Sequence, residues 1–155
     1  MSLVHASCVS VLPDYGVLLR GAPGSGKSGL ALRLIERELA ALVADDQVEL
    51  TTTGQDNVVH ASAPERLAGL LEVRGLGILT MRHQDSVPLR LIIDLVTPEQ
   101  VPQIPEPRFT TLNGISLPVL ALSADDPAIV EKLVLAARLA GKGKIFSEKT
   151  LPDPF

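Results

Sequence analysis

The stretch "RGAPGSGKSGLALRLIERE", Arg20 to Glu38, contains the complete pattern G-x-x-x-x-G-K-[ST] as Gly21, Ala22, Pro23, Gly24, Ser25, Gly26, Lys27 and Ser28. Such a loop holds phosphates only when a strand precedes it and a helix follows, because N–H groups at the helix start must converge on the anion. Both flanks are present. Gly16 to Arg20 is a short apolar run, and Leu30, Ala31, Leu34 and Ile35 recur at helical spacing opposite Arg33, Glu36, Arg37 and Glu38. The glycines allow close backbone approach, Lys27 is placed to reach β- and γ-oxygens, and the Ser28 hydroxyl is placed to ligate Mg²⁺. The flanked eight-residue pattern favours nucleotide binding over a glycine-rich turn that merely caps a helix.

Working outward, short apolar and β-branched runs predict strands at 7–12, 16–19, 41–43, 48–52, 58–61, 70–73, 76–80, 89–96 and 115–122. Only two long helical patterns stand beside them: the one after the loop, and a second over 127–140. Asp126 is its expected N-cap, Pro127 its first residue and Gly141 its stop. So many strands against two helices do not make a regular βαβ alternation. They predict an α/β domain with a mixed, strand-rich sheet, antiparallel hairpins and the phosphate loop at one sheet edge. The proline-rich stretch 96–107 reads as a surface loop with a short helical turn, in preference to a PxxP ligand. Residues 1–140 read as one catalytic domain, and 141–155 as a tail that is mobile or packed on a neighbouring subunit.

Composition narrows the function. With 155 residues, 46% apolar and 21% charged, the chain can bury a single core. A net charge of −4 and an aromatic content of 3% argue against nucleic-acid binding. No apolar run is long enough for a membrane span and no secretory leader is evident, so the expectation is a cytoplasmic protein with a protein or small-molecule partner. Cys8, the single cysteine, fits a reducing compartment and a buried apolar position.

A phosphate loop also needs an acidic partner, either for the Mg²⁺ shell or to take a proton from an attacking hydroxyl. Two places can supply it. Asp45 and Asp46 follow an apolar strand in "ALVADDQVEL", and Asp94 closes the stronger run "LRLIIDLV", which has the look of a Walker-B strand. Residue type alone leaves both open, since adjacent aspartates at a strand end also cap turns. In "LLEVRGLGILTMR", Glu72 and Arg74 alternate with apolar residues before a Gly-Leu-Gly turn, which spacing alone does not make catalytic. His60 and His83 lack ligand spacing, and Met81 reads as packing.

Taken together, His5, the loop, "LVADDQVEL" at 42–50 and "EVRGLGI" at 72–78 resemble, in order and separation, the catalytic domain of bacterial HPr kinase/phosphorylase. The resemblance covers most of the chain from Val4 to Leu139. It implies a phosphoenolpyruvate carboxykinase-like fold, ATP and Mg²⁺ as cofactors, and HPr or an HPr-like phosphocarrier as the protein whose serine is phosphorylated. Asp45 and Asp46 then correspond to the acidic pair that supplies the general base and a metal-side carboxylate. Ser28, Asp46 and Glu72 become the metal-side residues, and Lys27, Arg74 and His5 join the pair as catalytic residues. It also implies a homo-oligomer, a hexamer in this family, and leaves Asp94 without a role. The chain begins almost at the kinase domain, as in the short forms typical of alphaproteobacteria, which implies lost regulation. Three departures stand out: Ala22-Pro23 for the usual Asp-Ser, Gly29 for an acidic residue, and the acidic "LSADDPAIVEK" where the family carries an arginine. The last makes reverse phosphorylase activity doubtful. A phosphate-loop small-molecule kinase or NTPase, and a nucleotide-dependent sensor without turnover, are the alternatives.

Overall fold

The computed structural model describes residues 1–147. In chain order the elements are β1 (Ser2–His5), β2 (Ser7–Val11), β3 (Tyr15–Arg20), α1 (Lys27–Glu36), β4 (Ala40–Ala44), β5 (Gln47–Thr52), β6 (Val59–Ser62), β7 (Leu70–Val73), β8 (Gly77–Thr80), β9 (Ser86–Leu95), β10 (Phe109–Leu112), β11 (Ile115–Leu122) and α2 (Ile129–Gly141). Short 3₁₀ turns lie at Glu65–Leu67 and Pro98–Gln100, the second held by a Thr97/Gln100 capping box inside the proline-rich loop.

Among the described residues these strands form a nine-stranded mixed sheet and a separate β7–β8 hairpin. The main order is β1-β5-β6-β9-β3-β2-β4, and β11 pairs with β9 and carries β10 beyond it. Strand β9 is long enough to serve several neighbours. Residues 86–88 pair antiparallel with β6, the stretch from Leu89 to Asp94 runs parallel with β3, and residues 92–95 run parallel with β11. The phosphate-loop strand β3 therefore lies between β9 and β2, inside the sheet. The loop expected at one sheet edge follows an interior strand, so it lies at the edge formed by strand ends and not beside an outermost strand. Two strands escape the sequence reading, the half-exposed edge strand β1 and the short β10.

The continuous apolar runs follow from burial on both faces. Val17 and Leu19 of β3 pack with Leu91 and Ile93 of β9 beneath Leu30 and Leu34 of α1 and Ile129 and Leu133 of α2. On the other face Leu18 and Ile92 meet Val48 and Leu50 of β5 and Val59 and Ala61 of β6. Each fully buried leucine contributes about 2 kcal/mol by leaving water. Ile35, on the flank of α1, packs with Leu71 and Val73 and so fixes the hairpin against the loop's helix.

Helix α2 begins two residues later than its sequence suggests. Asp126 does cap the approach, but its Oδ1 accepts from the Ala128 N–H at 2.8 Å, and the regular helix starts at Ile129. Helix α2 includes the expected stop, Gly141, as its last residue and is capped by Lys142. Beyond it Ile145 is buried, and Phe146 meets Phe109 edge-on with ring centroids 5.4 Å apart. The rest of the expected tail, 148–155, lies outside the described residues. No helix among the described residues is long and apolar enough to cross a membrane.

Candidate phosphate-binding site

Strand β2 runs antiparallel to both β3 and β4, so β3 and β4 point the same way, and the parallel pairs carry β9 and β11 with them. The carboxyl ends of β4, β3, β9 and β11 thus share one edge of the sheet, together with the start of β2. Open α/β sheets bind ligands at such an edge. That edge gathers Ser7, the loop, Asp45, Asp46 and the segments after β9 and β11.

The loop is built for close backbone approach. Gly21 has no room for a side chain, since a Cβ there would lie 2.4 Å from Ser25 Oγ. Gly26, immediately before α1, has φ of 99°, which strains any other residue. Lys27 turns back over the loop, donating from Nζ to the Gly21 carbonyl at 2.8 Å and the Ala22 carbonyl at 3.2 Å. Phosphate oxygens offer the same ammonium stronger, charged acceptors.

The two aspartates divide in space. Asp45 Oδ1 accepts from Ser28 Oγ at 2.8 Å and from Ser7 Oγ at 2.8 Å. Asp46 faces outward: its Oδ1 lies 3.2 Å from His5 Nδ1, and both side chains are more than half exposed. Its backbone is left-handed, with φ of 70°, a conformation aspartate tolerates better than most residues and one that turns adjacent carboxylates in different directions. Ser7 is the residue that sequence reading missed. The run "SCVSV" carries two buried hydroxyls, and of these Ser7 has the Asp45 carboxylate as partner while Ser10 Oγ has none among the described residues, a difference that the sequence does not mark. Cys8, next to Ser7, is also fully buried, and burial pushes its thiol well above the usual range, so it stays a neutral thiol.

Asp94 is occupied elsewhere. Arg20, its register partner on β3, donates to both carboxylate oxygens, Nε to Oδ1 at 2.7 Å and Nη2 to Oδ2 at 3.1 Å, and Arg108 Nη2 adds a bond to Oδ2 at 2.6 Å. A carboxylate held by two guanidiniums ties β3, β9 and the approach to β10 together. Glu72 and Arg74 lie on the separate hairpin, both exposed, with no hydrogen bond to the loop or the aspartate pair among the described residues. His60 instead meets Asp56 at 3.2 Å.

A divalent cation fits this oxygen set in one particular way. No group of three or more His, Cys, Asp and Glu among the described residues forms a cation cage. A hydroxyl and a carboxylate beside a phosphate loop are what Mg²⁺ uses when the nucleotide supplies further oxygens and water the rest. Ser28 and Asp45 are the residues so placed.

Comparison with known proteins points to one family. The family model of the HPr Serine kinase C-terminal domain matches residues 1–107. The HPr kinase/phosphorylase of Xylella fastidiosa (strain M12) is 41% identical over 137 residues, 82% of this chain and 41% of that protein. The one from Stenotrophomonas maltophilia (strain K279a) is 46% identical over 134 residues, with the same shares. The chain therefore spans well under half the length of these relatives. A solved structure, the Hpr(Ser) kinase/phosphatase from Coxiella burnetii, superposes with a TM-score of 0.78 at 30% identity, covering 92% of this chain and all of the other.

Proposed function

The chain belongs to the HPr serine kinase C-terminal domain family, and from that premise we propose that it is an ATP-dependent kinase that phosphorylates a serine of HPr or an HPr-like phosphocarrier. The observation that carries the reading is the hydroxyl–carboxylate set Ser28, Asp45 and Ser7 beside a complete phosphate loop on an interior strand. The mixed sheet around that strand is compatible with a phosphoenolpyruvate carboxykinase-like core. Assembly as a homo-oligomer, a hexamer by family resemblance, and residence in the cytoplasm complete the proposal.

The proposed roles follow from position. The loop N–H groups and Lys27 hold the phosphates and offset the charge that builds on the transferring oxygens. Mg²⁺, when bound with ATP, neutralises phosphate charge and orients the terminal phosphoryl group. Ser28 and Asp45 are the residues that would hold it, with Asp45 taking the metal-side place that the resemblance implied for Asp46, because Asp45 and not Asp46 meets Ser28. Asp46, exposed beside His5, is the carboxylate that an incoming serine hydroxyl can reach, and it accepts the serine proton as the oxygen attacks in line. Glu72 and Arg74 make no hydrogen bond to this centre among the described residues, so their part is assigned by resemblance alone. The forward reaction is the proposed main activity. The segment after β11 brings Asp125 and Asp126 and no arginine, and two phosphates need cations to lie side by side.

The direct test is incubation with γ-labelled ATP and Mg²⁺, with and without HPr. Label on an HPr serine is expected. Release as free phosphate alone would replace this reading with an NTPase, and binding without turnover would replace it with a sensor.

Ser7 tests the inner part of the site. It touches no reacting atom and acts only by holding Asp45, so it is a positioning residue. Ser7→Ala is expected to raise the Mg²⁺ concentration for half-maximal nucleotide binding about tenfold, the cost of one hydrogen bond to a charged group. Ser7→Thr should restore it. Titration of Mg²⁺ against a fluorescent ATP analogue reads both, and an unchanged Mg²⁺ requirement in Ser7→Ala would remove Ser7 from the site.

A further inference from the structure

Strands β3 and β9 alternate their side chains between two faces as they run to the loop's edge. Val17 and Leu19 of β3, with Leu91, Ile93 and Leu95 of β9, face the helices, whereas Leu18 and Ile92 face the layer of β5 and β6. The same alternation carries Arg20 and Asp94 to the face away from the helices. His5 and Asp46 belong to that side too, because His5 ends β1, Asp46 immediately precedes β5, and these two strands pair in the layer that covers it. Strand β3 stands two places from β4 in the sheet, about 10 Å at the ordinary strand spacing. A partner of standard interface size covers about 800 Å². A protein that presents a hydroxyl to Asp46 therefore also covers Arg20, Asp94 and Arg108.

The charges in that group do not balance. Arg20 alone satisfies both oxygens of Asp94, and Arg108 adds a further bond to Oδ2. Two guanidiniums on one carboxylate leave a positive charge over, and Glu106 forms no ion pair with either of them among the described residues. Arg108 is the more exposed of the two, and its other N–H donors have no partner among the described residues. Its backbone is nonetheless fixed beside β11, since the Arg108 carbonyl accepts from the Val119 N–H at 2.9 Å. A planar fork with free donors matches a carboxylate. Before transfer, the anions that an acceptor protein carries beside its serine are aspartates and glutamates.

We propose that Arg108, poised on Asp94 beside Arg20, is the docking point for a carboxylate of the acceptor protein and so helps to select which protein serine is phosphorylated. The inference rests on the kinase reading and deepens it. Arg108 touches no reacting atom in this role. It contributes equally to the bound acceptor and to the transition state, so it sets KM for the acceptor and leaves kcat alone.

The experiment measures initial rates of transfer from γ-labelled ATP as HPr is varied, with the full chain, Mg²⁺ and low salt. Arg108→Gln is expected to raise KM for HPr about tenfold, the worth of one hydrogen bond between charged groups, with kcat and KM for ATP unchanged. The difference should shrink between about 0.01 M and about 0.15 M salt, as the screening length falls from about 30 Å to about 8 Å. Arg108→Lys, which keeps the charge and loses the fork, should recover part of the effect. Among HPr variants in which single surface carboxylates become amides, one should show the same rise in KM and no further rise with Arg108→Gln. Thermal unfolding of each variant reports the fold. An unchanged KM for HPr in Arg108→Gln, whether or not its unfolding temperature falls, would overturn the docking point, as would a loss confined to kcat; in either case transfer by the unsubstituted chain leaves the kinase reading standing. Failure of the unsubstituted chain to label HPr at all would overturn both.

Discussion

Lys27→Ala is expected to lower phosphoryl transfer to HPr by about a thousandfold or more. The ammonium lies over the loop, bonded to the Gly21 and Ala22 carbonyls, and is the one cation that the motif places directly over the phosphates. Removing a single neutral donor from a charge-stabilising site costs about 10²–10³ in rate, and a full positive charge in a site rich in carboxylates is worth more. The fold should survive, because the side chain is partly exposed and its partners are loop carbonyls that water can satisfy. Initial rates with γ-labelled ATP, alongside thermal unfolding of the same sample, check both statements. Undiminished transfer by a folded Lys27→Ala protein would rule out the loop as the catalytic site.

The second large effect separates three aspartates. Asp46→Asn is expected to cut transfer by about 10²–10⁴ while MgATP still binds, because an amide cannot take the serine proton. Asp45→Asn should also suppress transfer strongly, but through the cation: the amide no longer offers Ser28 and the metal shell a charged oxygen, so the Mg²⁺ requirement rises. Asp94→Asn should spare chemistry. Its carboxylate is bound by Arg20 and Arg108, so the loss falls on stability, read as a lower unfolding temperature. Measuring rate, Mg²⁺ dependence and melting on the three variants gives a distinct pattern for each. If Asp94→Asn abolished activity while both changes in the pair were mild, the acidic roles would be reversed.

Much of this was legible because the signals are local. The complete loop pattern, its apolar strand and its amphipathic helix sit within Gly16 to Glu38. Strand β4 reads as an unbroken apolar run because both faces are covered. What stayed hidden depends on contacts between distant residues. Strand β1 alternates only weakly at an exposed edge, and β10 is four residues emerging from a proline-rich loop. Nothing near Gly21 announces that β3 lies inside the sheet, since its partner β9 is about seventy residues away. The same holds for Asp94, which has the look of a metal carboxylate until Arg108 arrives from across the proline-rich loop. The division between Asp45 and Asp46 required the left-handed backbone at Asp46 and the hydroxyl of Ser7, neither of which a two-letter motif reveals.

The position of β9 bears on how the protein is made. As the chain leaves the ribosome, β3, the loop and both aspartates emerge with only β2 and β4 as sheet neighbours, because the parallel partner of β3 spans Ser86–Leu95. Parallel pairing across so long a connection closes late, after the entropy of the intervening chain has been lost. A nascent chain halted before β9 carries every letter of the phosphate-loop motif, yet lacks the parallel strand that flanks β3 on one side. Competence for nucleotide thus waits on residues far downstream of the loop, and a product truncated before β9 is expected to be inert without any residue of the motif having changed.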